Sequence, residues 1–135
     1  MIIADTSLIA CLAFRNENAE LAGAVCAADP VWAAPVLWRS EFRHALVKYI
    51  QRAGMSMDEA MRALQLAEEI MDGREYQVSS GRVLELAARS KCTGFDCEYV
   101  ALAQDLDVPL VTADAQILKA FPKTAVSLEK FARQK

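Results

Sequence analysis

Late in the chain the sequence reads Pro109-Leu110-Val111-Thr112-Ala113-Asp114, a short apolar segment followed at once by a threonine and an aspartate. Near the start, Ile2-Ile3-Ala4 leads into Asp5 in the same way. Buried strands of a parallel sheet are short apolar runs, and ligands bind in the crevice outside their carboxyl ends. The two segments therefore predict parallel strands that deliver Asp5 and Asp114 to one crevice.

Apolar runs and helical patterns alternate along the rest of the chain. Further strands are predicted at 31–34, 75–78 and 125–126, with helices between them. Pro35 suits the first turn of a helix that ends at Gly54, and Ser56 with Glu59 forms a capping box for the next helix. The helix predicted over 80–90 is expected to turn four apolar side chains inward, those of Val83, Leu84, Leu86 and Ala87. This alternation predicts a three-layer α/β/α sandwich with a central parallel sheet, formed by residues 1–135 as one domain.

The composition is that of an ordinary globular protein, with 135 residues, 54% hydrophobic and 24% charged. No apolar run reaches the length of about 18 residues typical of a membrane helix. The apolar start of the chain contains Asp5 and lacks a basic segment, so it predicts a core strand and helix rather than a signal peptide. We expect a cytoplasmic protein with no membrane partner.

The net charge of −3 argues against a broad basic surface for nucleic acid. It does not exclude an enzyme, because a bound divalent cation offsets several negative charges locally. The 4 cysteines fit no zinc-binding spacing and are predicted to be buried free thiols.

Four acids stand out by their positions, namely Asp5, Glu41, Asp96 and Asp114. Carboxylates that share one crevice repel each other, and a cation with hard oxygen ligands, Mg²⁺ or Mn²⁺, relieves that repulsion. Such a cation acidifies water and neutralises charge on a phosphoryl group under attack. We expect Asp5, Asp96 and Asp114 to hold the metal ion, while Glu41 completes the site or orients and deprotonates the attacking water.

Each acid also has a structural explanation. Asp5, Asp96 and Asp114 are all placed to cap a helix N-terminus, which is a common role for aspartate. Glu41 is flanked by Arg39 and Arg43, so it could pair with either of them or lie exposed between them.

Hydroxyl groups and one histidine accompany these acids. Thr112 is a candidate to hydrogen-bond an acid or a metal-bound water, and Thr6 and Ser7 could do the same beside Asp5, although all three are also common capping residues. His44, the single histidine, follows Glu41 by three residues and so lies on the same helix face. It is a surface residue, a packing residue or one that touches substrate.

Four segments together resemble the PIN-domain ribonucleases, in particular the VapC-type toxins of prokaryotic toxin–antitoxin pairs: 3–7 (IADTS), Glu41 on its helix, 95–103 (FDCEYVALA) and 109–114 (PLVTAD). The resemblance implies an endoribonuclease that depends on Mg²⁺ or Mn²⁺. It places Asp5, Glu41, Asp96 and Asp114 on the family's acidic quartet, Thr112 on its T-x-D threonine, and Thr6 or Ser7 on the hydroxyl beside the first acid. It also implies a homodimer, a structured RNA substrate, and a small antitoxin whose arm places an arginine near the acids.

The chain departs from the family at His44, where many members have asparagine, and this difference affects substrate positioning more than metal binding. Basic residues near the rim are candidates to guide the RNA backbone, namely Arg15, Arg39, Arg43 and Lys119. Two alternatives stay open at this point. One is a PIN-fold protein-binding module with weak or no nuclease activity, and the other is a phospho-acceptor domain that uses Asp5.

Overall fold

Five parallel strands form the central sheet in the structure, a computed structural model that describes residues 1–134. Across the sheet the strands follow the order β3-β2-β1-β4-β5. The chain therefore builds the sheet outward from β1, first to one side and then to the other. The five strands are β1 (Ile2–Ala4), β2 (Trp32–Pro35), β3 (Glu75–Tyr76), β4 (Leu110–Val111) and β5 (Ala125–Val126).

Helices cover both faces of this sheet, as the alternating sequence pattern predicts. Helix α6 lies against β1, β2 and β4 and packs on α5, whereas α1 packs on α2, α3 and α4, and α2 packs on α8. The three-layer α/β/α architecture is thus confirmed. Eight helices lie within residues 1–134: α1 (Thr6–Phe14), α2 (Ala19–Ala28), α3 (Trp38–Arg52), α4 (Met57–Met71), α5 (Ser80–Ala88), α6 (Gly94–Leu106), α7 (Ala115–Ala120) and α8 (Leu128–Arg133).

The register between β1 and β4 determines what lies at the carboxyl edge of the sheet. Ile3 pairs with Leu110 and Ala4 pairs with Val111, and all four side chains are fully buried. The next residues along the two strands, Asp5 and Thr112, therefore leave the sheet side by side. This is the point where strand order reverses, which is the usual ligand-binding position in open α/β sheets.

Helix boundaries confirm some of the predicted signals and correct others. The capping box of Ser56 and Glu59 is present, and Gly54 follows α3 with φ of +71°. The prediction for Pro35 was wrong, because this residue ends β2 and α3 begins at Trp38. A proline is tolerated at the end of a strand, where its missing N–H removes no interior ladder bond.

Two further predictions need correction. Asp96 is not the N-cap of its helix: Thr93 is the N-cap of α6, and Asp96 is the third helical residue in a capping box. Leu84 does not face inward but is 69% exposed, because it lies outside the i, i+3, i+4 stripe that Val83, Leu86 and Ala87 form.

The cysteines are free, as predicted: Cys11, Cys92 and Cys97 are buried and Cys26 is partly buried. Among residues 1–134, no helix combines the length and the apolar character needed to cross a bilayer.

Candidate active site

A cavity of about 380 Å³ lies at the carboxyl edge of the sheet, and all four predicted acids line it. Asp5 comes from the end of β1, Asp114 from the loop after β4, Glu41 from the first turn of α3, and Asp96 from the first turn of α6. Residues far apart in sequence thus meet because parallel strands and the helices that follow them share one edge of the sheet. We call this cavity the acidic pocket.

Asp5 is the most buried of the four acids, with 8% of its surface exposed. Its Oδ1 accepts hydrogen bonds from the Leu8 backbone N–H at 3.0 Å and from the Ser7 hydroxyl at 2.6 Å, while the Thr112 hydroxyl donates to Oδ2. Burial nevertheless raises the pKa of the Asp5 carboxyl, and the nearby charge of Asp114 raises it further, whereas the three hydrogen bonds lower it. Ionisation of Asp5 therefore costs free energy in the folded protein, and a nearby cation would reduce that cost.

Thr112 connects two of these acids. Its buried hydroxyl donates to Asp5 and accepts a hydrogen bond of 3.0 Å from the backbone N–H of Asp114. The structure thus places Thr112 against an acid, one of the two partners considered for it from the sequence.

Glu41 is held by two hydroxyl groups rather than by an arginine. The Thr6 hydroxyl donates to Glu41 Oε1 at 2.9 Å, and the Tyr99 phenol donates to the same oxygen at 2.6 Å. The Thr6 and Tyr99 oxygens are themselves 2.6 Å apart. Within residues 1–134, Oε2 of Glu41 has no hydrogen bond and is available to a ligand in the acidic pocket.

Tyr99 was not among the site residues predicted from the sequence. It is buried and lines the acidic pocket together with Asp96, from which it is three residues away on the same face of α6. That i, i+3 spacing from a predicted site acid is the signal that could have identified it. Burial and the adjacent Glu41 raise the pKa of the Tyr99 phenol far above its ordinary value, so Tyr99 acts as a hydrogen-bond donor.

Asp114 and Asp96 combine a place in the acidic pocket with a local structural role. Asp114 is the N-cap of α7, where its Oδ1 accepts from the backbone N–H groups of Gln116 at 2.8 Å and Ile117 at 3.2 Å. Asp96 Oδ2 accepts from the backbone N–H of Thr93 at 3.3 Å. Capping and pocket lining were considered as alternatives from the sequence, but the structure shows that one carboxylate can do both.

Three of the basic residues considered as guides for an RNA backbone differ in their surroundings. Arg39 forms ion pairs with Glu68 and Glu75. Arg43 is exposed, and its guanidinium donates to Ser40 rather than to Glu41. Arg15 lies at the opposite end of α1 from Asp5 and lines another cavity.

His44 is exposed one turn after Glu41 and lines a neighbouring groove rather than the acidic pocket. Within residues 1–134 its ring makes no hydrogen bond.

The acidic pocket can be tested for its fit to a divalent cation. Within residues 1–134, no three histidine, cysteine, aspartate or glutamate side chains lie close enough together to hold a metal ion directly. Mg²⁺ commonly binds through one or two carboxylates and keeps several waters. Carboxylates spread around a cavity of this volume have the right donor chemistry for such a hydrated cation.

Comparison with known proteins supports the resemblance inferred from the sequence. The chain is 36% identical over 89 residues to Ribonuclease VapC1 from two strains of Mycobacterium tuberculosis, CDC 1551 / Oshkosh and H37Rv. The match covers 64% of this chain and 65% of the length of these curated relatives, slightly less than two thirds. No protein-family model matches the chain.

A solved structure is similar over nearly the whole chain. The crystal structure of PAE2754 from Pyrobaculum aerophilum superposes with a TM-score of 0.68 and covers 98% of this chain and 94% of that one. The sequence identity is 22%, so this similarity concerns the fold. The predicted likeness to VapC-type ribonucleases is confirmed in sequence over part of the chain, and the fold is shared with PAE2754 over nearly all of it.

Proposed function

We propose that this chain, which resembles the VapC-type PIN-domain ribonucleases in sequence and fold, is an endoribonuclease dependent on Mg²⁺ or Mn²⁺ and the toxin of a type II toxin–antitoxin pair. The observation that carries the proposal is the acidic pocket, in which Asp5, Glu41, Asp96 and Asp114 meet at the carboxyl edge of the sheet. The ribonuclease named in the sequence comparison supports the choice of RNA as substrate.

Each acid has its own part in the proposed reaction. Asp5, Asp96 and Asp114 hold the cation, with no more than two of them bound to it directly and the others bound through water. When bound, a divalent cation makes water more acidic and offsets the negative charge of the phosphoryl group under attack. Glu41 uses Oε2, the oxygen not engaged by Thr6 and Tyr99, to orient the attacking water and accept its proton.

The supporting hydroxyls keep these carboxylates in place. Thr112 and Ser7 fix Asp5 through separate oxygens, and Thr6 and Tyr99 fix Glu41 through one. Side chains held by such hydrogen bonds lose little freedom when substrate binds, which favours a productive geometry.

Partners follow from the same proposal. We expect a cognate antitoxin protein and a cytoplasmic location, because the RNA substrates are found there. We also expect a homodimer, since the α3–α4 pair exposes Val47, Met57 and Met61, with Met57 62% exposed. Sedimentation of the purified protein tests the dimer: a monomer at micromolar concentration would contradict it.

Cleavage of total cellular RNA by purified protein, freed of any bound partner, tests the proposed reaction. The reaction is run with Mg²⁺, with Mn²⁺ and with EDTA, beside the Asp96→Asn variant. Asp105→Asn is the matched control, because Asp105 is exposed on the same helix and does not line the acidic pocket. We expect discrete fragments that require both the cation and Asp96, with full activity in the control.

Two outcomes would contradict the proposal. Full activity of a folded Asp96→Asn variant would show that Asp96 has no role in cleavage. Absence of cleavage by the folded wild-type protein would favour the alternative, a PIN-fold module that binds a partner protein and has little or no nuclease activity.

A further inference from the structure

A second cavity, of about 610 Å³, adjoins the acidic pocket and shares Thr6 and Glu41 with it. Its other walls come from one face of α3 and from Phe95 at the start of α6. We call this cavity the α3–α6 groove. Its volume lies within the range of about 300–1,000 Å³ that is usual for ligand sites. A ligand in the groove would lie directly beside the four acids.

Two aromatic rings, those of Phe95 and Tyr49, line the groove. Phe95 is 61% exposed and makes no ring contact within residues 1–134, although it is anchored as the second residue of α6. Tyr49 is 37% exposed, and its ring packs edge-on against Phe14 with a centroid distance of 4.9 Å. Exposed but positioned rings of this kind provide flat faces on which nucleobases stack, whatever their sequence.

A polar stripe on α3 follows the same groove. Ser40, His44 and Lys48 are spaced by four residues, so they lie in a row that leads away from the acidic pocket over about 12 Å. Neither His44 nor Lys48 forms an ion pair in the part of the chain that the structure describes. In a protein with a net charge of −3, an unpaired lysine in a groove that adjoins the acidic pocket is complementary to an anionic backbone.

We propose that the α3–α6 groove binds an unpaired nucleobase of the RNA next to the bond that is cut, with Phe95 as its stacking platform and Lys48 as the contact for the adjoining phosphate. This inference rests on the proposed function and locates two contacts of its substrate, one with a base and one with the adjoining phosphate. Bases in a duplex are already stacked on each other and cannot reach the ring of Phe95.

A base fits these observations better than a protein segment does. The groove opens into a pocket of carboxylates where a phosphodiester would lie, so a nucleotide can occupy both cavities with its base in one and its phosphate in the other. An apolar peptide would fill the groove but would leave Lys48 without a counter-charge.

Fluorescence of short unstructured RNAs that contain one 2-aminopurine tests the proposal without requiring cleavage. Stacking on an aromatic side chain quenches this base. With EDTA present, we expect quenching by the wild-type protein, binding weakened about 5- to 150-fold by Phe95→Ala, and binding retained by Phe95→Tyr. Leu84→Ala, which truncates another exposed apolar side chain outside the groove, should behave like wild type.

The phosphate contact has a separate readout. The slope of log affinity against log salt is negative, and Lys48→Gln should make it shallower by about 0.7, the value for one phosphate contact to a single strand. Lys123→Gln, which changes an exposed lysine outside the groove, should leave that slope unchanged.

The outcomes separate this inference from the proposed function. Cation-dependent cleavage together with unchanged binding by Phe95→Ala would leave the nuclease intact and overturn the base site. Quenching that depends on Phe95, in a protein that cleaves no RNA, would support the base site and overturn the nuclease. No quenching by wild type overturns the inference, and so does a Phe95→Ala variant that binds RNA normally but loses a co-purified partner protein.

Discussion

The phenol of Tyr99 and the carboxylate of Glu41 are joined by a hydrogen bond of 2.6 Å, although 58 residues separate them in the sequence. Tyr99 belongs to α6 and Glu41 to α3, so this bond crosses the acidic pocket and relates the two helices that border it. It fixes one oxygen of Glu41 and leaves the other free. The position of the proposed general base therefore depends on a residue that carries no charge.

Replacing Tyr99 with phenylalanine tests this dependence. We expect kcat for RNA cleavage to fall about tenfold with little change in KM, because Glu41 loses one of its two donors and is less well positioned. Tyr76→Phe, in a half-buried residue outside the acidic pocket, is the control. In a Glu41→Gln variant, adding Tyr99→Phe should not lower kcat further. A further loss of kcat of about tenfold in that double variant would contradict a role of Tyr99 through Glu41.

Substituting Asp5 with asparagine should stabilise the protein. Burial raises the folded-state pKa of Asp5 above its unfolded value of about 3.9, so the charged form opposes folding. Wild type therefore loses stability relative to Asp5→Asn as the pH rises through the folded-state pKa, and the difference disappears below about pH 4. Urea unfolding at pH 8 in EDTA should show a higher midpoint for Asp5→Asn than for wild type. A variant less stable than wild type at pH 8 would contradict this account.

The buried hydroxyl of Thr112 gives a third prediction. Thr112→Val keeps the shape of the side chain but removes the only donor to Asp5 Oδ2 within residues 1–134 and leaves the Asp114 N–H without its acceptor. We expect a loss of about 1–3 kcal/mol in the free energy of unfolding. Thr112→Ser retains both bonds and should lose less, so equal stability of the valine and serine variants would count against these bonds.

Thermal melting provides a test of cation binding that does not depend on activity. Mn²⁺ at ten times its dissociation constant should stabilise wild type by about 1.4 kcal/mol, which is a few degrees in Tm for a chain of this size. The shift should be smaller in Asp5→Asn and in Asp96→Asn, and unchanged in Asp105→Asn. Equal shifts in all four proteins would place the cation elsewhere.

The sequence predicted the elements that position the pocket because buried parallel strands have a clear apolar signature. Ile2–Ala4 and Leu110–Val111 are such strands, and the acids after them leave the sheet at the same edge. Pro35 was assigned to the wrong element because proline suits both the first turn of a helix and the end of a strand. The sequence alone does not distinguish these two positions.

Tyr99 and Arg39 show why the side-chain partners in and around the site could not be predicted. The partners of Tyr99 lie on α1 and α3, and those of Arg39 lie on α4 and β3. Such long-range pairs depend on how the helices pack, which local spacing does not determine. Arg39 lies two residues before Glu41, so the sequence suggested that the two side chains pair. In the structure Arg39 instead links α3 to α4 and β3.

Asp5 and Asp114 begin helices as well as line the acidic pocket, and this has an evolutionary consequence. A lineage that abandons the chemistry still has to start α1 and α7, so the residues that replace these two acids should be asparagine, serine or threonine, which also cap helices. Glu41 caps nothing and is free to drift to any residue that α3 tolerates. Among descendants of this protein that have lost activity, substitutions should therefore appear first at position 41, and the replacing residues should be most varied there.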